Sequence, residues 1–440
     1  MKKNIYCYII LLATLTMLGC SNDNELLPLT MTSNISNESN YRRSISEALN
    51  IAQNSIVILE GNEKSANVNR RHSSTLPSRR VNSSPVIIGH HNGNLHRGYP
   101  TTNDTLMYVF NYDDNQGFAI ISADSRTEGL IAITDQGHYE QNETNKIEGF
   151  SMFMKLAEEY IEKKSTNNYV KLKKKDDFIL RKDSTYQSEQ YYGPYITVKW
   201  GQTYPEGMFC NNGYSGCANT AMAQIMSYYE FPTSIYLSYS GADRTIQELN
   251  WTEIKKHITH MNHYNCIASD EVHHAIGSLC KQLVTLNNSD DNGTNGTSTM
   301  SSSINATYTN IGYQTSGWIN YNDISGELFS HLYNHRVMQI RGAENGEDVG
   351  HTWVLDGAYV LFIEHFSWTK PAGMICDWTL DYHTTETHAY YHFNWGFDGE
   401  NNGYFYGGVF DTSNGINYDT PYNYQSFNFN TNVKILVVYI

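Results

Sequence analysis

Apolar side chains recur at Ala218, Ala221, Met222, Ile225, Met226 and Tyr229, the spacing that gathers one buried stripe on a helix. The same helical character runs through SISEALNIAQNSIVIL and KIEGFSMFMKLAEEYIEKKS, while HHAIGSLCKQLVTL is an amphipathic run that carries Cys280 toward a core. Between the first two helices, LMYVFNY, GFAIISAD and LIAITDQG are short β-type runs separated by turn residues. The stretch STNNYVKLKKKDDFILRKDSTYQSEQ, residues 165–190, is charged and lacks either period. Its composition predicts an exposed connector, and its lysines and arginines make it a candidate activation cut. The expected division is therefore a leader over 1–20, a first domain over 21–170, a linker over 171–190 and a larger domain over 191–440.

The leader MKKNIYCYIILLATLTMLGC has two early lysines, an apolar run short for a bilayer span, and a glycine before Cys20. It resembles a bacterial lipoprotein signal, with Cys20 as the lipid acceptor; Met17 and Leu18 depart from the usual residues before that cysteine, which keeps ordinary secretion as the alternative. Export follows either way, and the expected location is an outer-membrane or cell-surface lipoprotein, with the membrane touched only through the lipid. The 440 residues leave room for two or three domains with a full-sized core. Thirty basic against 45 acidic residues give a net charge of −15, and KLKKK at 171–175 is the one basic run, so nucleic acid is excluded as a partner. Seven cysteines less Cys7 and Cys20 leave Cys210, Cys217, Cys266, Cys280 and Cys376, an odd number that flags a reactive thiol in an exported chain.

Position singles out Cys217. At the doorway of the Ala218 helix, a thiol feels unpaired backbone N–H groups and the positive end of the helix dipole, both of which favour thiolate. A thiolate nucleophile needs a base, which the fold and not the sequence brings near. His351 follows a glycine and opens TWVLDG, an apolar strand expected to end at its DG turn, 134 residues beyond Cys217. In HFNWGFDG, the Asn394 side-chain carbonyl is placed to accept the second ring N–H of His351, with the Trp395 indole shielding that bond. Gln202, fifteen residues before Cys217, supplies a side-chain amide to pair with the Cys217 N–H as oxyanion donors. Asp356, in the DG dipeptide, reads as a turn residue.

The segments WGQTYP, GCANTAMAQIMSYYEFP, GHTWVLDGAY and HFNWGFDGENNGYF, in that order, resemble the streptopain family of papain-fold cysteine peptidases. The resemblance implies an α+β fold: a papain-like catalytic domain of two subdomains, one helical and carrying the cysteine, the other antiparallel β and carrying His, Asn and Trp. It implies Cys217 as nucleophile, His351 as general base, Gln202 with the Cys217 N–H as oxyanion donors, and Asn394 with Trp395 as the orienting shell. The N-terminal YVFNYDDNQGFAIISADSR and IAITDQGHY resemble the family's inhibitory pro-domain. A zymogen is implied, acting on protein or peptide substrates with its own pro-domain as inhibitor and no cofactor.

Departures from the family pattern are Asn219, which replaces a small residue, Phe397, which stands where a second Trp is common, and EHFSWTKPAGMICDWTLDYHTTETH, inserted after the His351 strand. That insert is expected to lengthen a hairpin near the cleft. His257, His260, His263 and Cys266 recur every three residues, a spacing that drifts around a helix and does not converge on one ion, so no metal site is expected. His90, His91 and His96 read as a solvated loop cluster. Two other functions stay open on sequence alone: an amidase or transpeptidase on cell-wall peptides using the same site, and a surface lipoprotein that binds glycan or host protein.

Overall fold

The two N-terminal helical runs and the three β-type runs between them become a layered unit because each strand alternates its side chains between two covered faces. A computed structural model describes residues 41–66, 79–89, 105–140, 147–166, 179–238, 244–259, 269–293, 296–343, 350–372, 376–410 and 433–440. Cys20, His90, His91, His96, the KLKKK run, His260, His263 and Cys266 lie outside the described residues. Helix α1 (Ile45–Ala66) and helix α2 (Glu148–Thr166) flank a sheet of β1 (Val86–Gly89), β2 (Thr105–Asn111), β3 (Phe118–Ser122) and β4 (Leu130–Thr134). Tyr108, Phe110, Ala119 and Ile121 pack with Ala48 and Ala52 of α1, while Met107, Val109, Phe118 and Ile120 face Phe150 and Phe153 of α2.

The remaining strands are β5 (Ile179–Tyr192), β6 (Ser234–Ser238), β7 (Arg244–Glu248), β8 (Gln314–Asn320), β9 (Val337–Ala343), β10 (Gly350–Pro371), β11 (Thr379–Asn394), β12 (Gly403–Tyr406) and β13 (Lys434–Tyr439). The remaining helices are α3 (Cys217–Tyr229), α4 (Trp251–Ile254), α5 (Asp270–Leu286), α6 (Ser301–Ile311), α7 (Tyr321–Ile324) and α8 (Leu328–Tyr333). One antiparallel sheet crosses the molecule in the order β1-β2-β3-β4-β12-β11-β10-β9-β13-β8, with β5 added beside β10. The join between the N-terminal unit and the rest is the pairing of Thr134, Ile133 and Ala132 with Gly403, Tyr404 and Phe405. Gly403 permits it, since a Cβ there would stand 2.2 Å from the Ile133 carbonyl oxygen. A single apolar cluster then runs across that join, with Phe150 and Phe153 of α2 packed among Trp395, Phe393 and Phe405. A second cluster, built on α3, α5 and β13, holds the fully buried Cys280.

Three expectations are corrected. The residue 165–190 connector is not free of structure where it is described: β5 pairs with β10 from Tyr192↔Ala358 to Ile179↔Pro371, anchored by Tyr191 against Tyr359 and by Tyr192 against Phe329. The His351 strand does not stop at its DG dipeptide. A bulge between Leu355 and Gly357 absorbs the turn, and Asp356, fully buried, accepts the Ile196 N–H at 2.8 Å and pairs with His392 Nδ1 at 2.6 Å. The insert does lengthen a hairpin, but one that runs away from His351. Glu364 stands thirteen residues along the strand from His351, a rise of about 43 Å at ~3.3 Å per residue.

The inserted hairpin thus holds the proposed activation segment as an edge strand. Shortening it to a tight turn at the His365/Thr384 pair removes the partners of Arg181 and Lys182, which are Thr369 and Trp368. Limited trypsinolysis should then cut at Arg181 or Lys182 about tenfold faster or more, because cleavage tracks the open population of the strand. Equal rates in the two chains would show that the pairing protects nothing.

Candidate active site

Helix α3 begins where Gly216, at φ 82° and ψ 146°, turns the chain, and Cys217 is its first residue. The approach is tight enough to require glycine: a Cβ at Gly216 would lie 2.6 Å from the Thr297 carbonyl oxygen, on top of the positive φ. The loop carrying Gln202 is fastened to this helix start. Ser215 donates its N–H to the Gln202 carbonyl at 2.8 Å, and the Thr220 hydroxyl donates to the Gly201 carbonyl at 3.2 Å. Asn219, the departure from the family pattern, is fully buried and donates to the Ser215 carbonyl at 2.8 Å while accepting from Asn287 at 2.8 Å. Its polarity ties the nucleophile turn to the end of α5.

His351 stands at the start of β10, almost fully buried, its ring stacked on Trp353 at 6.1 Å and covered by Phe397 at 5.5 Å. Phe397 therefore keeps an aromatic wall where the family pattern has a tryptophan. Nε2 lies 3.1 Å from the Trp395 backbone carbonyl. A carbonyl only accepts, so Nε2 carries the proton and Nδ1 is left to take one. Nδ1 meets no acceptor at hydrogen-bonding geometry among the described residues and lies 3.7 Å from the Glu148 carboxylate, while the Cys217 sulfur acts on the ring as a second neighbouring charge. Burial pulls the His351 pKa down, but the Cys217 thiolate beside it, then Glu148 and the Trp395 carbonyl, push it up to about 10. Burial likewise raises the Cys217 thiol, yet the adjacent His351 imidazolium and the Thr352 N–H bring it below its ordinary value. Both shifts favour the charged forms, thiolate on Cys217 and imidazolium on His351.

The structure thus brings Cys217 and His351 together, with Gln202 in the loop stapled beside them, and it corrects the role expected of Asn394. That side chain does not reach His351. Its Oδ1 accepts the Gly396 N–H at 3.2 Å and the Gln224 amide at 3.1 Å, and its Nδ2 donates to the Val198 carbonyl at 2.9 Å. The residue that receives the ring N–H is Trp395, through its main chain, and sequence reasoning missed this because a backbone carbonyl carries no residue-type signal. The fully buried Trp395 is itself held by Asn402, which accepts its N–H at 2.9 Å, and by the Asn401 carbonyl, which accepts its indole N–H at 3.0 Å. Among the described residues no group of three or more His, Cys, Asp or Glu side chains is arranged to hold a metal, and Cys210, Cys217, Cys280 and Cys376 are free thiols.

The N-terminal unit reaches into this site with the first turn of α2. A Cβ at Gly149 would fall 2.5 Å from His351 Cδ2 and 2.6 Å from the Trp395 ring, so only a glycine lets the helix lie on both. Phe150 packs edge-on to Trp395, 6.4 Å between centroids. Nothing in the local sequence of α2 marked Glu148 or Gly149 as site residues.

A chain with this fold and this paired thiol and imidazole has the frame of a papain-type cysteine peptidase. The profile of the Peptidase C10 family matches residues 186–405, and that of the Spi protease inhibitor matches residues 39–161. The chain belongs to the Peptidase C10 family; it is a cysteine peptidase made as a zymogen behind an inhibitor-type pro-domain. No curated protein matches the sequence. A solved structure of a prointerpain A fragment from Prevotella intermedia is similar at a TM-score of 0.46 and 18% identity, over 80% of this chain and 98% of that one.

The Glu148–His351 attraction sets a pH window. Attraction to the imidazolium holds the Glu148 carboxyl below its ordinary value, so its contribution is present above the ordinary carboxylate range and is lost as pH falls through that lowered value. On the alkaline side it lasts until His351 deprotonates near about 10. The Glu148 side chain is 66% exposed, so screening limits the gain to about 1 kcal/mol at low salt. Urea midpoints of the intact chain should differ between wild type and Glu148→Gln at neutral pH and converge in strong acid; the same gap at both would contradict the ion pair.

Proposed function

We propose that this zymogen is an exported cysteine endopeptidase that cleaves peptide bonds through a thioester on Cys217, with His351 as general base. The observation that carries the reading is a buried imidazole coupled electrostatically to the thiol at the head of α3 while its Nε2 is engaged by a carbonyl. His351 takes the Cys217 proton, the thiolate attacks the scissile carbonyl, and the tetrahedral oxyanion is received by the Cys217 N–H and the Gln202 side-chain amide. The imidazolium then protonates the leaving amine, which departs as the thioester forms. Water, deprotonated by His351, releases the acid and restores the thiol.

In this reading the pro-domain inhibits by charge as well as by bulk. Its Glu148 addresses the nitrogen that Cys217 needs, and Gly149 brings the α2 turn over the rings that border the reacting atoms. Removal of residues 21–170 by a cut in the following linker opens the site. Cys20, lipidated and left as the N-terminal residue once the segment before it is cut away, tethers the chain to the membrane by lipid alone; among the described residues no helix is long and apolar enough to cross a membrane.

One set of proteins tests the reading. Cys217→Ala should hydrolyse no casein and stay uncut, and mass spectrometry of its membrane-extracted form should find a diacylglyceryl group on Cys20. Gln202→Ala should retain about one part in 10² to 10³ of the wild-type turnover, the usual cost of one oxyanion donor. Casein hydrolysis by Cys217→Ala would reject the nucleophile, and an unmodified Cys20 would reject the anchor.

A further inference from the structure

Gln224 is out of place by the pattern that makes its helix. It is fully buried among Met222, Ile225 and Met226, and its Oε1 meets no hydrogen-bond partner among the described residues. A primary amide half satisfied in a core is costly unless its other end serves a purpose. That end is fixed without ambiguity. Asn394 receives a backbone N–H from Gly396 and gives a hydrogen to the Val198 carbonyl, so its oxygen and nitrogen cannot be exchanged. The Gln224 atom 3.1 Å from Asn394 Oδ1 must then be the NH₂ group, which also donates to the Trp200 carbonyl at 2.9 Å.

We propose that Gln224 is a positioning residue for the general base, acting from the buried middle of the α3 helix through Asn394 and the Trp395–Gly396 peptide on His351. The peptide is the decisive link. Its N–H is the group bonded to Asn394 Oδ1, and its C=O is the group bonded to His351 Nε2. One rigid planar unit thus joins the two hydrogen bonds, so turning the Asn394 carbonyl turns the acceptor that sets the imidazole tautomer. Gln224 lies seven residues, about 10.5 Å of helix, beyond Cys217. It touches no reacting atom; the helix that supplies the nucleophile also braces the base in the opposite subdomain. The inference rests on the assignment of His351 as that base.

The test uses the activated enzyme with Gln224→Met, which keeps the length and lacks the donor, and Gln224→Glu, which donates only when its buried carboxyl is neutral. Gln224→Met should lower kcat about 10- to 100-fold with KM within about twofold, and should move the acid limb of Cys217 alkylation by iodoacetamide to higher pH. Gln224→Glu should keep more of its turnover in acid than at alkaline pH, adding an ionisation that Gln224→Met lacks. If both variants keep the wild-type kcat and alkylation profile while only the melting temperature falls, Gln224 is a packing residue and the proposal is overturned. Wild-type alkylation with an ordinary thiol profile, unchanged by His351→Ala, would instead signal failure of the base assignment.

Discussion

The hydrogen bond from the His351 ring to the Trp395 main-chain carbonyl is the constraint on which the rest depends. With Nε2 committed, Nδ1 is left as the ring's proton acceptor, and the mutual attraction of Cys217 and His351 outweighs the burial that opposes both charges, which favours a thiolate–imidazolium pair. Each neighbouring element answers to that geometry. The β10–β11 pairing, which sets Val354 opposite Asn394, places the HFNWG turn beside His351. Asn402 and Asn394 then fix the peptides on either side of Trp395. Trp353 and Phe397 confine the ring between aromatic faces.

The inhibitor unit is built into the same frame and does not merely lie on it. Its sheet continues the catalytic sheet through β4 and β12, and its α2 helix shares an apolar core with the residues that hold His351. Release therefore requires separating a strand pair and uncovering Phe150 and Phe153 as well as breaking the polar contact at Glu148. A burial of this kind is worth several kcal/mol per aromatic side chain, against at most about one for the exposed carboxylate. Packing is therefore the larger part of what holds the pro-domain in place, and the Glu148 contact the smaller.

Much of this was readable from the residues, and the exceptions have physical causes. The α1, α2 and α3 helices and strands β2 to β4 announce themselves because one face of each is buried and the apolar period survives in the sequence. Strand β5 hides because it is a polar edge, exposed along most of its length, so no alternation marks it and only its partner in β10 makes it a strand. The DG dipeptide misleads for a related reason: a bulge uses the turn chemistry without ending the strand. In the site, residue types pointed to Cys217, His351 and the NW pair. The assignment of which carbonyl receives the ring N–H, and the reach of Glu148 and Gln224, depend on the path of the backbone across elements far apart in sequence.

The most direct measurement is the thiolate absorbance of Cys217 in the intact chain, titrated against pH beside Cys217→Ser and His351→Ala chains. The account predicts a thiolate that forms below the ordinary cysteine range, persists as an ion pair until His351 loses its proton at about 10, and returns to an ordinary or higher value in His351→Ala. A thiol that titrates in the ordinary range and does not respond to His351→Ala would contradict it.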